Sequence, residues 1–114
     1  MSREADLFLE DIADRTSRIQ RLVGGRSFQE FGSDDALHEA VLRHLTVIGE
    51  AVKNLPSILL DTEPEIPWRK VAKLRDILIH VYFGVKDEII WGIVEQDIEP
   101  LGAAVRRMLE VNSD

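Results

Sequence analysis

The chain has no cysteine among its 114 residues, and aromatic residues make up only 6% of it. The lack of cysteine excludes a disulfide framework and a thiolate nucleophile, and it fits a reducing compartment. No stretch approaches the roughly 20 apolar residues that a membrane helix needs. The first 15 residues, MSREADLFLEDIADR, are polar and acidic and do not resemble a signal peptide. We therefore expect a cytoplasmic protein with no membrane partner.

Positive charge is also in short supply. Fourteen Lys and Arg residues stand against 21 Asp and Glu residues, which gives a formal net charge of −7. This balance argues against broad electrostatic capture of nucleic acid, which depends on a basic surface. It leaves room for one local basic pocket and for a basic protein partner. With 45% hydrophobic residues, the length suits a single globular domain, residues 1–114, around one core.

Apolar residues recur at the spacing of an amphipathic helix through most of the chain, and no alternating strand pattern is present. The first predicted elements are a helix over Arg3–Val23 and a short capped turn at 27–31. A second long helix follows from a cap at Ser33 or Asp34 to about 54–60, and then a loop at 61–67. A third helix runs from Pro67 to Gly84, and a last helix begins at Asp87 and is kinked or divided by Pro100. These elements predict an all-α, up-and-down bundle of four to five helices.

The segment 73–85, KLRDILIHVYFGV, carries four polar or ionisable residues within an otherwise apolar helix. They are Arg75, Asp76, His80 and Tyr82. Such side chains are costly to keep in a buried helix for stability alone, so a functional site explains them better. An arginine can bind phosphate through its planar fork of donors, and a histidine can move a proton near neutral pH.

Helical geometry divides these residues between two faces. At about 100° per residue, Arg75 and Tyr82 share one face, whereas Asp76 and His80, four residues apart, share another. Arg75 and His80 diverge by about 140° in a regular helix, too far to grip one small group. Either the helix loosens near Gly84, or a two-fold dimer brings the opposite residues together across one cleft.

The expected chemistry is cleavage of RNA without a metal ion. The nearby helix C-terminus and Asp76 both favour the protonated form of His80, which suits a general acid. Arg75 can neutralise charge that builds up on a phosphoryl oxygen while the RNA 2′-hydroxyl attacks. A structural ion-pair network would use the same residue types, and spacing alone leaves both interpretations open.

At these residues the chain resembles a known family. The sequence RDILIHVY, read as R-x4-H-x-Y, is similar to the motif of HepT-like ribonuclease toxins, a group of the HEPN superfamily also called domain of unknown function 86. The resemblance extends over nearly the whole chain through segments in the same order: LEDI at 9–12, VLRHLTVIGEAVKNL at 41–55, EIPWRKVAKLRDILIHVYFGV at 65–85 and DEIIWGIVEQDIEPL at 87–101.

The resemblance implies a symmetric homodimer whose R-x4-H motifs meet in a cleft that cuts RNA. Arg75 and His80 fall on the catalytic positions, and Asp76 stands where this family often has Asn. Tyr82 falls on the tyrosine to which a nucleotidyltransferase antitoxin is thought to transfer AMP in related toxin–antitoxin pairs. The implied setting is a type VII toxin–antitoxin system of a bacterium or archaeon.

Two further residues are candidates for the same site. Arg43 and Glu50 are seven residues apart and so share a face of the second long helix. They can line the cleft or orient Arg75, and a solvated or intersubunit ion pair accounts for them equally well. Three scattered histidines without ligand spacing indicate no metal site, and we expect no cofactor. The rival hypothesis is a non-catalytic helical dimer that docks a nucleotidyltransferase.

Overall fold

The computed structural model describes residues 2–79 and 86–112, and within these ranges it contains helices and no strand. The helices, in chain order, are α1 (Arg3–Val23), α2 (Phe28–Ser33), α3 (Asp35–Lys53), α4 (Ser57–Leu60), α5 (Trp68–Ala72), α6 (Leu74–Ile79), α7 (Asp87–Gln96) and α8 (Ile98–Asn112). The prediction of an all-α protein is confirmed, but the predicted four to five helices are too few, since the described residues form eight.

Side-chain caps fix the first three helices where the sequence predicts them. The Ser2 hydroxyl accepts a hydrogen bond from the backbone N–H of Ala5 at 3.1 Å and so begins α1. Ser27 and Glu30 form a capping box at the start of α2, where a short capped turn was predicted, with bonds of 3.1 and 3.2 Å. The Asp34 carboxylate accepts from the Leu37 N–H at 3.1 Å, which makes Asp34 the N-cap of α3.

Two predicted helices are each divided in two, and the sequence analysis missed one of these divisions. The predicted third long helix is split at Lys73 into α5 and α6, where Gly49 of α3 lies against the backbone on both sides of the break. The predicted division of the last helix by Pro100 is present, with the break at Asp97, three residues before the proline. Pro100 is the third residue of α8, in the first turn, where a backbone N–H has no intrahelical partner to lose. The predicted end at Gly84 lies outside the described residues.

The core forms where α1 packs against α3 and α8, and where α3 packs against α5 and α6. The largest fully buried side chains come from almost every helix: Phe31, Leu9, Ile12, Ile19, Leu45, Ile48, Leu74, Ile90, Ile98 and Leu101. Burial of these apolar side chains is the main force that holds the short helices in place. In the described ranges, no helix is both long enough and apolar enough to cross a membrane.

Both tryptophans pack within the chain. The Trp68 indole N–H donates to the Glu63 carbonyl at 3.0 Å, which ties the start of α5 to the preceding loop. The Trp91 ring on α7 lies 5.2 Å from the Phe31 ring on α2, a separation typical of favourable aromatic pairs. The Phe31 ring also lies 4.8 Å from the His38 imidazole of α3, so α2 links α3 to α7.

Candidate active site around Arg75

Arg75 is positioned by the close approach of α6 to α3 at Gly49. A Cβ atom built on Gly49 would lie 2.7 Å from the Arg75 backbone nitrogen and 3.1 Å from the Val71 carbonyl oxygen. Real Cβ atoms do not come so close to backbone, so only glycine permits this packing. The contact places the start of α6 beside the solvent-facing residues at the end of α3.

The Arg75 guanidinium lies between two carboxylates. Its Nε is 3.6 Å from Glu50 Oε2, and its Nη1 donates to Asp76 Oδ1 at 3.3 Å. The side chain is 43% exposed, so solvent or a ligand can reach it. Nη2 has no hydrogen-bond partner among the described residues, which leaves its two N–H groups available to an incoming oxyanion.

Lys53 completes the network on the far side of Asp76. Its Nζ donates to Asp76 Oδ2 at 2.8 Å, so the network runs from Lys53 through Asp76 and Arg75 to Glu50. The hydrogen bond from Lys53, followed by the one from Arg75, holds the pKa of the Asp76 carboxyl below its ordinary value. Asp76 is therefore ionised at neutral pH, and Lys53 offsets the negative charge that it places beside Arg75.

The structure brings some of the predicted residues together and separates others. Glu50 contacts Arg75, and whether it orients Arg75 for function stays a prediction. Arg43 lies exposed two turns earlier on α3, where its charge acts on His44, and among the described residues it has no ion pair with this network. His80 and Tyr82 lie outside the described residues, so their predicted roles remain predictions.

Lys53 and Gly49 are parts of the site that the sequence analysis missed. Lys53 follows Glu50 by three residues, so both project from one side of α3, and this spacing was the available signal. Gly49 gives no local signal of this close contact. From sequence alone, a glycine inside a helix can equally be a residue that only lowers the stability of the helix. In the described part of the chain, no group of three or more His, Asp or Glu side chains is arranged to hold a metal ion.

This arrangement is suited to binding an anion at an exposed point. A guanidinium held by carboxylates on two sides has less freedom to lose when it binds a phosphate oxygen. Fold and site together define the class as an all-helical protein that presents an oriented arginine at the start of an R-x4-H sequence.

The chain belongs to the HepT-like ribonuclease family. A model of the family described as "Ribonuclease HepT-like" matches residues 12–108, which include α1 from Ile12 through most of α8.

Three curated relatives agree with this assignment. "Probable ribonuclease HepT" of Thermococcus cleftensis is 43% identical over 101 residues, which cover 89% of this chain and 92% of the relative. "Putative RNase MJ0127" of Methanocaldococcus jannaschii is 46% identical over 92 residues, covering 81% of this chain and 76% of the relative. "Putative RNase TTE0752" of Caldanaerobacter subterraneus is 40% identical over 103 residues, covering 90% and 92%. No solved structure matches the chain.

Proposed function

We propose that this protein is a metal-independent endoribonuclease in which Arg75 and His80 act on the scissile phosphodiester. The observation that carries the proposal is the Arg75 guanidinium, which is exposed, held by Glu50 and Asp76, and has no partner for Nη2 among residues 2–79 and 86–112, so that Nη2 can bind a phosphate oxygen. The family match and the relatives named as ribonucleases support RNA as the substrate.

The proposed reaction uses the RNA's own 2′-hydroxyl. A base removes the proton from this hydroxyl while its oxygen attacks the adjacent phosphorus and forms a 2′,3′-cyclic phosphate. The bond from phosphorus to the 5′-oxygen breaks, and protonated His80 donates a proton to the leaving oxygen. Arg75 stabilises the negative charge that grows on the non-bridging oxygens.

A homodimer would bring an Arg75 and a His80 to the same phosphate, which one regular helix cannot do. Arg75 and His80 lie on different faces of the motif helix by spacing, so an Arg75 from one protomer would act with a His80 from the other.

The test is cleavage of RNA by purified protein in excess EDTA. We expect cleavage by the wild type and a loss of about 100-fold or more in Arg75→Ala and His80→Ala, since each removes a group that acts in the transition state. Arg3→Ala is the matched control, because Arg3 is an exposed arginine at the start of α1. Wild-type protein that leaves a range of RNAs intact, or an active His80→Ala, would contradict the proposal.

We also propose that Tyr82 is the point at which the activity is switched off, within a toxin–antitoxin pair. A nucleotidyltransferase antitoxin would direct the Tyr82 hydroxyl to the α-phosphate of ATP, with formation of a Tyr–AMP bond and release of pyrophosphate. The added group brings bulk and negative charge to a site meant for RNA phosphates. Incubation with the partner and ATP should add one AMP by intact mass, and the addition should be absent in Tyr82→Phe.

A non-catalytic role is the second candidate, and one observation favours it. Arg75 already contacts two carboxylates, and such networks also serve only to hold elements together. In that case the protein would be a helical dimer that docks a nucleotidyltransferase. Arg75→Ala would then weaken the dimer or the docking, whereas RNA would stay intact with every variant.

A further inference from the structure

A second cationic region lies between α1 and α3. Arg15, Arg18 and Arg21 follow one another at three-residue spacing on α1, and Arg15 contacts His44 of α3. Arg18, Arg21, Leu22 and His44 line a cavity of about 250 Å³. Such a concentration of arginine is informative in a chain whose formal net charge is −7.

The contact between Arg15 and His44 fixes which imidazole nitrogen carries the proton. Arg15 Nη1 lies 3.0 Å from His44 Nδ1, and a guanidinium can only donate. Nδ1 is therefore the acceptor, and the N–H of the neutral ring is on Nε2. Burial, followed by the charges of Arg15 and Arg18, lowers the pKa of His44, so the ring is neutral at physiological pH.

The acidic residues nearby leave most of the donors free. Asp11 pairs with Arg15 through Nε at 3.4 Å, and Asp14 pairs with Arg18 through Nε at 2.8 Å. Both pairings leave terminal N–H groups of the guanidinium available, and Arg21 has no ion pair among the described residues. Among the described residues no carboxylate lines the cavity, so the lining side chains offer hydrogen-bond donors and one apolar surface from Leu22.

We propose that this cavity binds the phosphate group of a nucleotide unit, either in an RNA backbone or in a free mononucleotide. Two guanidinium groups and an imidazole N–H match the several acceptor oxygens of a phosphate. The volume is below the roughly 300 Å³ at which pockets for drug-sized ligands begin, so it suits a phosphate with part of its sugar. Leu22 would face the carbon atoms of that sugar.

This site is distinct from the one around Arg75. His44 contacts α1, whereas Gly49, Glu50 and Lys53 contact α6 or its residues. The proposal therefore stands whether or not Arg75 takes part in cleavage.

The test measures binding of two probes to the intact chain. One probe is a fluorescent 2′-O-methyl RNA 12-mer, which lacks the attacking hydroxyl and stays uncleaved, and the other is AMP. Arg21→Gln should weaken a phosphate contact, and Arg3→Gln is the matched control because it removes the same charge from an exposed arginine of the same helix.

We expect Arg21→Gln to weaken RNA binding about five-fold or more at low salt and to reduce the slope of log K against log salt by about 0.7, one phosphate contact on a single strand. AMP should shift the His44 imidazole NMR signals of the wild type and of Arg3→Gln but not of Arg21→Gln. A specific effect on RNA identifies the backbone as the source of the phosphate, and an effect on AMP alone identifies a free nucleotide. Equal behaviour of the two variants with both probes would overturn the proposal, and loss of ribonuclease activity has no bearing on it.

Discussion

At the scale of single residues, Lys53 decides how much negative charge Asp76 presents beside Arg75. The HepT-like family often has a neutral Asn at the position of Asp76, so a carboxylate there requires an explanation. The 2.8 Å hydrogen bond from Lys53 provides one, since it offsets the charge without removing the polar contact to Arg75. The pair thus keeps the site close to neutral before RNA arrives.

Replacing Lys53 tests this account. We expect Lys53→Gln to raise the pKa of Asp76 toward its ordinary value, because the bond from Lys53 is the largest cause of the lowered pKa. Carboxyl ¹³C NMR across a pH titration measures it. Under the proposed function, RNA cleavage should also fall several-fold, since an uncompensated carboxylate repels the phosphate.

Lys70→Gln provides the control for that experiment. It breaks a similar exposed pair, Lys70 Nζ to Asp97 Oδ2 at 2.7 Å, and removes the same charge at a different place. An Asp76 pKa that is the same in Lys53→Gln and in Lys70→Gln would contradict the role given to Lys53.

His44 makes the stability of the fold depend on pH in a defined direction. Its pKa in the folded chain is below the ordinary value of 6.5, so the unfolded chain binds more protons just below pH 6.5. The free energy of unfolding should therefore fall as the pH drops from 6.5 toward the lowered pKa, and be unaffected by this group above 6.5. The groups that act on the ring are Arg15, Arg18 and Arg43, opposed by Asp14.

The measurement is the melting temperature of wild type and His44→Gln at about pH 7.5 and pH 5.5. The melting temperature of the wild type should decrease more between these two pH values than the melting temperature of His44→Gln does. Identical losses would show that His44 has the same pKa in the folded and unfolded chains.

At the scale of elements, the packing of α6 on α3 depends on Gly49. We expect Gly49→Ala to lower the free energy of unfolding by about 1–3 kcal/mol through overpacking, reduced by up to about 1 kcal/mol of gained helix propensity. Backbone atoms of Arg75 and Val71 are in the way of the new methyl group, and they cannot rotate aside. Urea unfolding measures the change.

Gly92 of α7 is the matched control. A Cβ built on it meets no atom of the described residues within 4 Å, so Gly92→Ala should raise the free energy of unfolding by up to about 1 kcal/mol. Opposite signs for the two substitutions are the expected result. A stabilising Gly49→Ala would contradict the close packing at α6.

Sequence patterns predicted these elements well where the signal is local. The caps at Ser27 and Asp34 are read from a few neighbouring residues, and both are present. The break at Lys73 escaped prediction because apolar periodicity continues across it and tertiary packing decides where the helix turns, whereas the break at Asp97 lies three residues before the proline from which a division was predicted. The same limit applies to the site: Glu50 was a candidate because it shares a helix face with Arg43, but Lys53 meets Asp76 only because α3 and α6 pack together.

At the scale of the whole molecule, the proposed dimer predicts how a mixture of two inactive variants behaves. Arg75→Ala and His80→Ala homodimers should each be inactive. If each site takes Arg75 from one protomer and His80 from the other, a mixed dimer retains one intact site. After random exchange of the two variants, half of the dimers are mixed, and each mixed dimer has one intact site out of two. The mixture should then restore about a quarter of wild-type cleavage.

Sites built within one protomer would give the opposite result, because every site in the mixture would lack a residue. The exchange is followed by mass spectrometry of the native dimer, and cleavage is measured on the same sample. A monomeric wild type in that spectrum would itself remove the basis for a shared site.

The packing of Trp91 against Phe31 has a practical consequence. The chain has two tryptophans, and Trp68 lies apart in a different setting, hydrogen-bonded to the Glu63 carbonyl. A Trp68→Phe variant would therefore emit from Trp91 alone, at the junction of α2 and α7. The chain thus contains its own optical probe of that junction, and its emission can report in real time whether α7 stays docked when RNA or a partner protein binds.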